Sequence, residues 1–207
     1  MRLAFLAFFL IFLKCGDHLK QPLLPLVLAS GSPRRCELLS NLGLTFETDV
    51  SNEDEHFSGT PAETVGYLCR MKAEAVARRH ENSLVLGSDT VVAVDGLVLG
   101  KPKDRADAER MLKMLSGRWH SVFTGVCVVN TKTGKTVSRV EETMVHFVPV
   151  DAESLSAYLD TKEPYDKAGA YAIQGMAGAF IDRIEGSYSN VVGLPMHVAA
   201  QLIQEAE

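Results

Sequence analysis

Apolar residues change their spacing several times along the chain, and each change marks an element. Residues 26–29 are a short continuous apolar run, as in a buried strand. Ser-Gly-Ser at 30–32 then makes a tight turn, and Pro33 opens a helix predicted over 33–42. A second short strand is expected at 44–48, followed by an acidic loop at 52–55. Val65, Leu68, Met71, Lys72 and Val76 recur at helical spacing and predict a helix over 61–80. A continuous apolar strand at 84–87 comes next. The runs 91–94 and 97–99 flank Asp95-Gly96, the dipeptide of a two-residue hairpin turn with positive φ at both positions. Asp104 is placed to cap a helix through Leu115 that stops at Gly117, and Asp151 to cap another reaching about Leu159. Between those helices, 121–130 and 136–148 read as two long strands joined by a turn at 131–135. A glycine-studded stretch at 166–178, a strand at 179–184, a polar loop at 186–190 and a helix from Pro195 complete the pattern.

Strands and helices alternate irregularly, which predicts an α/β domain with a mixed, twisted sheet. There is no internal repeat and no low-complexity tract. The domain is expected to start near Leu26, behind a polar linker at 16–25 that holds Pro22 and Pro25. Residues 3–13 stand apart as an unbroken apolar run between Arg2 and Lys14. The run has the length of a signal core and is too short to span a bilayer. No small-x-small cleavage site follows it, so an upstream-translated extension, a targeting or membrane-touching segment and a core element are all consistent with it.

Composition places the domain among ordinary globular proteins, with 46% hydrophobic and 23% charged residues in 207. Twenty-six acidic against 21 basic residues give a formal charge of −5, which argues against nucleic acid as a partner. A polyanion would have to be met by a local basic cluster. Cys15, Cys36, Cys69 and Cys127 form no Cys-x-x-Cys pair and read as reduced thiols of a cytoplasmic protein.

Such a cluster is written at 30–35, Ser-Gly-Ser-Pro-Arg-Arg. Ser32 is a natural N-cap, and Arg34 and Arg35 fall in the first helical turn, where the helix dipole disfavours cations. A bound anion would resolve that conflict: serine hydroxyls, free N–H groups and guanidinium forks together make a phosphate cradle. Two solvated arginines on a surface helix is the plainer alternative. Asp89 follows the strand at 84–87, at the kind of strand end where α/β sheets gather ligands, and could hold a metal or orient water. A hydrogen-bonded turn aspartate is the plainer reading of that position. Glu55 is a weaker metal candidate in its acidic loop. Lys72 lies within the apolar pattern of its helix, and Lys101, before Pro102, could aim its amine back toward Asp89.

Other chemistries are unsupported. Gly134-Lys135-Thr136 lacks the earlier glycine of a P-loop, no Gly-x-Ser-x-Gly elbow exists, and the six histidines show no metal-ligand spacing.

Taken in order, Leu28-Ala29-Ser30-Gly31-Ser32-Pro33-Arg34-Arg35, Gly87-Ser88-Asp89-Thr90, Lys101-Pro102, Leu115-Ser116-Gly117, Asp166-Lys167-Ala168-Gly169-Ala170-Tyr171, Ile173-Gln174-Gly175 and Asn190-Val191-Val192-Gly193-Leu194-Pro195 resemble the Maf family of nucleotide pyrophosphatases. The resemblance runs from about Leu26 to the C-terminus. It implies an elongated, two-lobed α/β fold like that of the inosine triphosphate pyrophosphatases, a divalent cation (Mg²⁺ or Mn²⁺) and commonly a homodimer. It places the proton acceptor on Asp89 and the charged cleft residues on Arg35, Glu55, Lys72 and Lys101. The loop around Glu55 differs in length from the family's, which leaves Glu53 and Asp54 as alternatives. Three selectivity positions fall on Arg34, Thr90 and Gln174, a trio that looks like the dTTP/UTP-hydrolysing subgroup.

The expected site is therefore Asp89, Lys72 and Lys101 for catalysis, Ser30, Ser32, Arg34, Arg35, Thr90 and Gln174 for the nucleotide, and Glu55 with Asp89 for the metal. An amide at Gln174 can donate to a pyrimidine carbonyl and accept from the ring N3–H. A noncatalytic nucleotide-binding regulator of cell division, or a pyrophosphatase of other base preference, would use the same cradle. Against a pure binder, an aspartate beside a phosphate costs repulsion unless a cation intervenes.

Overall fold

The computed structural model describes residues 20–207; the apolar run at 3–13 lies outside the described residues. Seven strands form one mixed sheet in the order β2-β1-β3-β5-β6-β7, with β4 pairing β3. They are β1 (Leu26–Leu28), β2 (Glu47–Thr48), β3 (Leu84–Val94), β4 (Leu97–Leu99), β5 (Trp119–Asn130), β6 (Thr136–Phe147) and β7 (Ile181–Glu185). β1 runs parallel to β2 and β3, and the pairs from β3 onward are antiparallel. The helices are α1 (Pro33–Ser40), α2 (Pro61–Ala77), α3 (Arg105–Leu115), α4 (Ala152–Leu159), α5 (Tyr188–Val192) and α6 (Met196–Ala206). Among the described residues, no helix is long and apolar enough to cross a membrane.

β3 organises the molecule, because its side chains alternate between two differently covered faces. Leu84 and Leu86 face one way and pack with Leu39, Leu194 and Leu202 of the α1 and α6 side. Val92 and Val94, further along the same face, belong to a second core with Leu112 and Leu115 of α3 and Tyr158 of α4. Ser88 and Thr90 fall between the two cores. On the opposite face α2 crosses β3 and β5, and two glycines let it come close. A Cβ on Gly87 would lie 2.3 Å from the Cys69 carbonyl oxygen, and one on Gly125 would lie 2.2 Å from that of Val65.

Local signals account for most boundaries. Thr60 and Glu63 form a capping box at the start of α2, with Pro61 in its first turn. Asp104 and Asp151 cap α3 and α4 through the N–H groups of Asp107 and Ser154. Asp95 and Gly96 have φ of 51° and 76°, the positive pair expected of the β3–β4 hairpin. The stretch before Leu26 is docked on the domain, since Gln21 bonds the Gly43 carbonyl and the Thr45 N–H, and Leu23 N–H bonds Glu207.

Three expectations need correction. The runs at 84–87 and 91–94 are one eleven-residue strand, so Asp89 lies in mid-strand rather than after a strand end. The polar residues 88–90 stay extended because β5 pairs with them throughout. The loop expected at 186–190 holds the short helix α5, capped by the Ser187 hydroxyl and ended by Gly193 at φ 129°. Ile181 starts β7 later than expected, because 176–180 coils into a 3-10 turn.

Candidate active site

One cleft of about 710 Å³ runs across β3 from the β1–α1 turn to the end of β4. It is lined by all ten residues singled out from the sequence, Ser30, Ser32, Arg34, Arg35, Glu55, Lys72, Asp89, Thr90, Lys101 and Gln174. Strand alternation explains how neighbours in sequence serve different walls. Asp89 points to the α2 face and Thr90 to the α5 face.

On the α2 face, the Lys72 ammonium reaches 2.6 Å from Asp89 Oδ1 and 2.9 Å from Glu55 Oε1. Lys72 and Asp89 are 6% and 7% exposed, so the pair is shielded, whereas Glu55 enters from the half-exposed loop. Lys72 is the turn of α2 that Gly87 admits against the sheet, which is why a lysine on an apolar helical stripe ends on an aspartate instead of snorkelling to water. Asp89 thus has Lys72 as its ammonium partner; Lys101 lines the cleft from beyond β4.

On the other face Arg35 is clamped by three partners. Its Nε donates to the Gly193 carbonyl (2.9 Å), Nη1 to Ser30 Oγ (3.3 Å) and Nη2 to Thr90 Oγ1 (3.1 Å). Burial, aided by neighbouring Arg34, pulls its pKa below the usual arginine value, against the opposing pull of Asp89 and Glu55. Arginine stays charged under any such shift, and the direction marks a guanidinium that an incoming anion would stabilise. Ser32 holds the N-cap position of α1, but its hydroxyl makes no capping bond. Its own N–H instead donates to Ser30 Oγ at 3.2 Å, which folds the turn. Arg34 Nη1 stands 3.7 Å from Asp166 Oδ2, and Asp166 is also paired with Lys167.

Several groups in or behind the cleft were not singled out from the sequence. Lys167 adds a cation and sits on a turn that Gly169 ties to the Gly100 carbonyl. Thr124 and Asn190 are buried behind Thr90, with Thr124 Oγ1 at 2.9 Å from Thr90 Oγ1 and 3.1 Å from the Asn190 carbonyl. Lys167, Asn190 and Gly193 lie inside motifs quoted above, so order along the chain pointed near them. Nothing local marks Thr124, which only the β3–β5 register brings opposite Thr90.

Among the described residues, no group of three or more histidine, cysteine, aspartate or glutamate side chains could hold a metal ion. Glu55 and Asp89 nevertheless converge on one cation, the Lys72 ammonium. Two carboxylates completed by substrate phosphate oxygens and water is the usual donor set for Mg²⁺, so the residues present fit such an ion.

The family model described as Maf-like protein matches residues 25–206. A dTTP/UTP pyrophosphatase of Symbiobacterium thermophilum is 50% identical over 182 residues, covering 87% of this chain and 93% of that protein. A dTTP/UTP pyrophosphatase of Thermococcus gammatolerans is 50% identical over 177 residues, covering 86% and 94%. Among solved structures, a HAM1 protein from Coxiella burnetii superposes with a TM-score of 0.55 at 15% identity, covering 89% of this chain and all of that one. That likeness is one of fold.

Proposed function

The chain belongs to the Maf-like protein family, and from that premise we propose that it is a nucleoside triphosphate pyrophosphatase converting dTTP and UTP to the monophosphate and pyrophosphate. One observation carries the reading: a buried Lys72–Asp89 pair and a clamped Arg35 face a single cleft from opposite sides of β3. That arrangement suits a triphosphate, with cations to receive its charge and a carboxylate held beside them. Relatives about half identical carry the same activity in their names.

In this reading the triphosphate lies among Arg34, Arg35, Lys72, Lys101 and the hydroxyls of Ser30 and Ser32. Lys72 fixes one oxygen of Asp89 and leaves the other to accept a proton from water. The water oxygen bonds to the α-phosphorus, the bond from that phosphorus to the α–β bridging oxygen breaks, and its electron pair leaves with pyrophosphate. A divalent cation, Mg²⁺ or Mn²⁺, held by Glu55 and Asp89 would neutralise phosphate charge and make the water more acidic. Positioning and electrostatics dominate such chemistry. Free nucleotides suit the site better than nucleic acid, because the net charge is −5 and the cations are gathered in the cleft.

The test is turnover of UTP and dTTP with Mg²⁺, scoring pyrophosphate against orthophosphate. Asp89→Asn should keep the fold and lose at least about 100-fold in kcat, the usual weight of a proton acceptor. Orthophosphate as the product, or wild-type rates in Asp89→Asn, would refute the assignment.

A further inference from the structure

β3 has a partner strand along the whole of one edge and along only part of the other. β5 pairs with it from Leu84 to Ala93 without a break. On the far edge β1 pairs with Leu84 to Leu86 and β4 with Val92 to Val94, and among the described residues no strand pairs with 87–91 on that side.

Ladder parity fixes which peptide groups face this gap. The N–H and C=O of one residue point to the same edge of a strand, and successive residues alternate. Leu84 N–H donates to the Pro25 carbonyl and the Leu86 carbonyl accepts from Ala29 N–H, both on the β1 side. Val94 and Leu97 close a two-residue hairpin on the β4 side, which makes Val94 and Val92 hydrogen-bonded positions there. Even-numbered residues therefore face the β1/β4 edge at both ends, and the unbroken register with β5 carries the parity through Thr90. The Thr90 N–H and C=O open into the gap, and Thr90 lines the cleft.

The Thr90 side chain is already occupied. Its Oγ1 accepts from Arg35 Nη2, and its hydroxyl proton has the Gly193 carbonyl at 3.4 Å and Thr124 Oγ1 at 2.9 Å within reach. One proton and one lone pair are thereby committed. What position 90 has to offer a ligand is its peptide edge.

We infer that the main-chain N–H and C=O of Thr90 read the pyrimidine ring, as a neighbouring strand would, by pairing with O4 and N3–H of uracil or thymine. The inference rests on the pyrophosphatase reading above. Phosphate does not suit this edge, because the carbonyl would face it; a donor beside an acceptor calls for a neutral group carrying both. Cytosine presents the two kinds of group in the opposite order, so a ring anchored by its sugar and phosphates cannot satisfy both. Gln174, which also lines the cleft, then supports the ring without being the reader of N3–H.

The test compares UTP with N3-methyl-UTP, in which a methyl group replaces the N3 proton and O4 stays a carbonyl, on the full-length protein and on Gln174→Leu. The analogue should lose about tenfold or more in kcat/KM in both proteins, the weight of an unpaired polar group in a desolvated site. A penalty that vanishes in Gln174→Leu, or that is missing from the wild type, overturns the inference. A second measurement replaces Thr90 by its α-hydroxy acid, which deletes the N–H and keeps the side chain. The ratio of kcat/KM for dTTP over dCTP should fall by about tenfold; an unchanged ratio overturns the inference. Should the ester variant fail to fold, the analogue comparison decides. A wild-type protein that hydrolyses neither UTP nor dTTP would sink the pyrophosphatase reading itself, an outcome distinct from all of these.

Discussion

Gly87→Ala probes how closely the catalytic pair depends on helix-to-sheet contact. The new Cβ would lie 2.3 Å from the Cys69 carbonyl oxygen, 2.7 Å from Ala73 N and 2.9 Å from Ala73 Cβ. Two of these atoms are backbone and cannot swing aside, so α2 must retreat by about 1 Å to restore ordinary contact. Lys72 sits on that turn, and its 2.6 Å bond to Asp89 would stretch by a similar amount. Overpacking of this kind costs about 1–3 kcal/mol, and a 1 Å displacement at a reacting centre about 100-fold in rate. Urea unfolding and UTP turnover should both report the loss. Gly66→Ala is the control on the same helix: its Cβ would meet Val140 at 3.5 Å, an ordinary distance. That variant should gain about 0.5–1 kcal/mol from helix propensity with turnover unchanged. If Gly87→Ala matched the wild type in stability and rate, the close approach of α2 would not be what sets the Lys72–Asp89 geometry.

Three further outcomes are expected. His120 is buried against Tyr171 and Phe147, and burial pushes its pKa down from 6.5 to about 3. Between those values the unfolded chain binds a proton that the folded protein refuses. This residue therefore makes stability fall as the pH falls, by about 2 kcal/mol from pH 6.5 to 5. His120→Gln should flatten that part of the urea-midpoint profile, and an equally steep profile would show that His120 is not its source. Thr60→Ala removes the hydroxyl that accepts from Glu63 N–H and should cost about 1 kcal/mol in thermal or urea unfolding; no loss would mean the box contributes nothing. Lys167→Gln should raise KM for UTP about tenfold with little change in kcat, as for a group that binds ground and transition states alike. An unaltered KM would remove Lys167 from the phosphate site.

Much of this was legible in the sequence because local chemistry fixed it. Asp95-Gly96, Asp104 and Asp151 stand where turn and capping rules put them, while the Thr60/Glu63 box was not singled out. The ten candidate side chains line one cleft because motif order is a long-range signal that no window of spacing contains. The misses have physical causes. Gly87-Ser88-Asp89-Thr90 reads as a turn by composition, yet a strand forms because β5 pairs with each residue. Lys72 was ambiguous on its helix, since its burial depends on Gly87, a residue of another element. The five residues of α5 are too few to show a period, and Thr124 gains its neighbour only through register.

The interruption beside β3 also bears on how the molecule avoids its own kind. Bare main chain in a sheet is a template for strands of other molecules. Here it spans only residues 87–91 and is walled at one end by β1 and at the other by β4, so a foreign strand would have to terminate inside the slot. The outer margins of the sheet are guarded differently, with β2 reduced to two residues and β7 carrying Asp182, Arg183 and Glu185. A small molecule can enter this opening in the sheet; a foreign strand that enters it runs into β1 or β4.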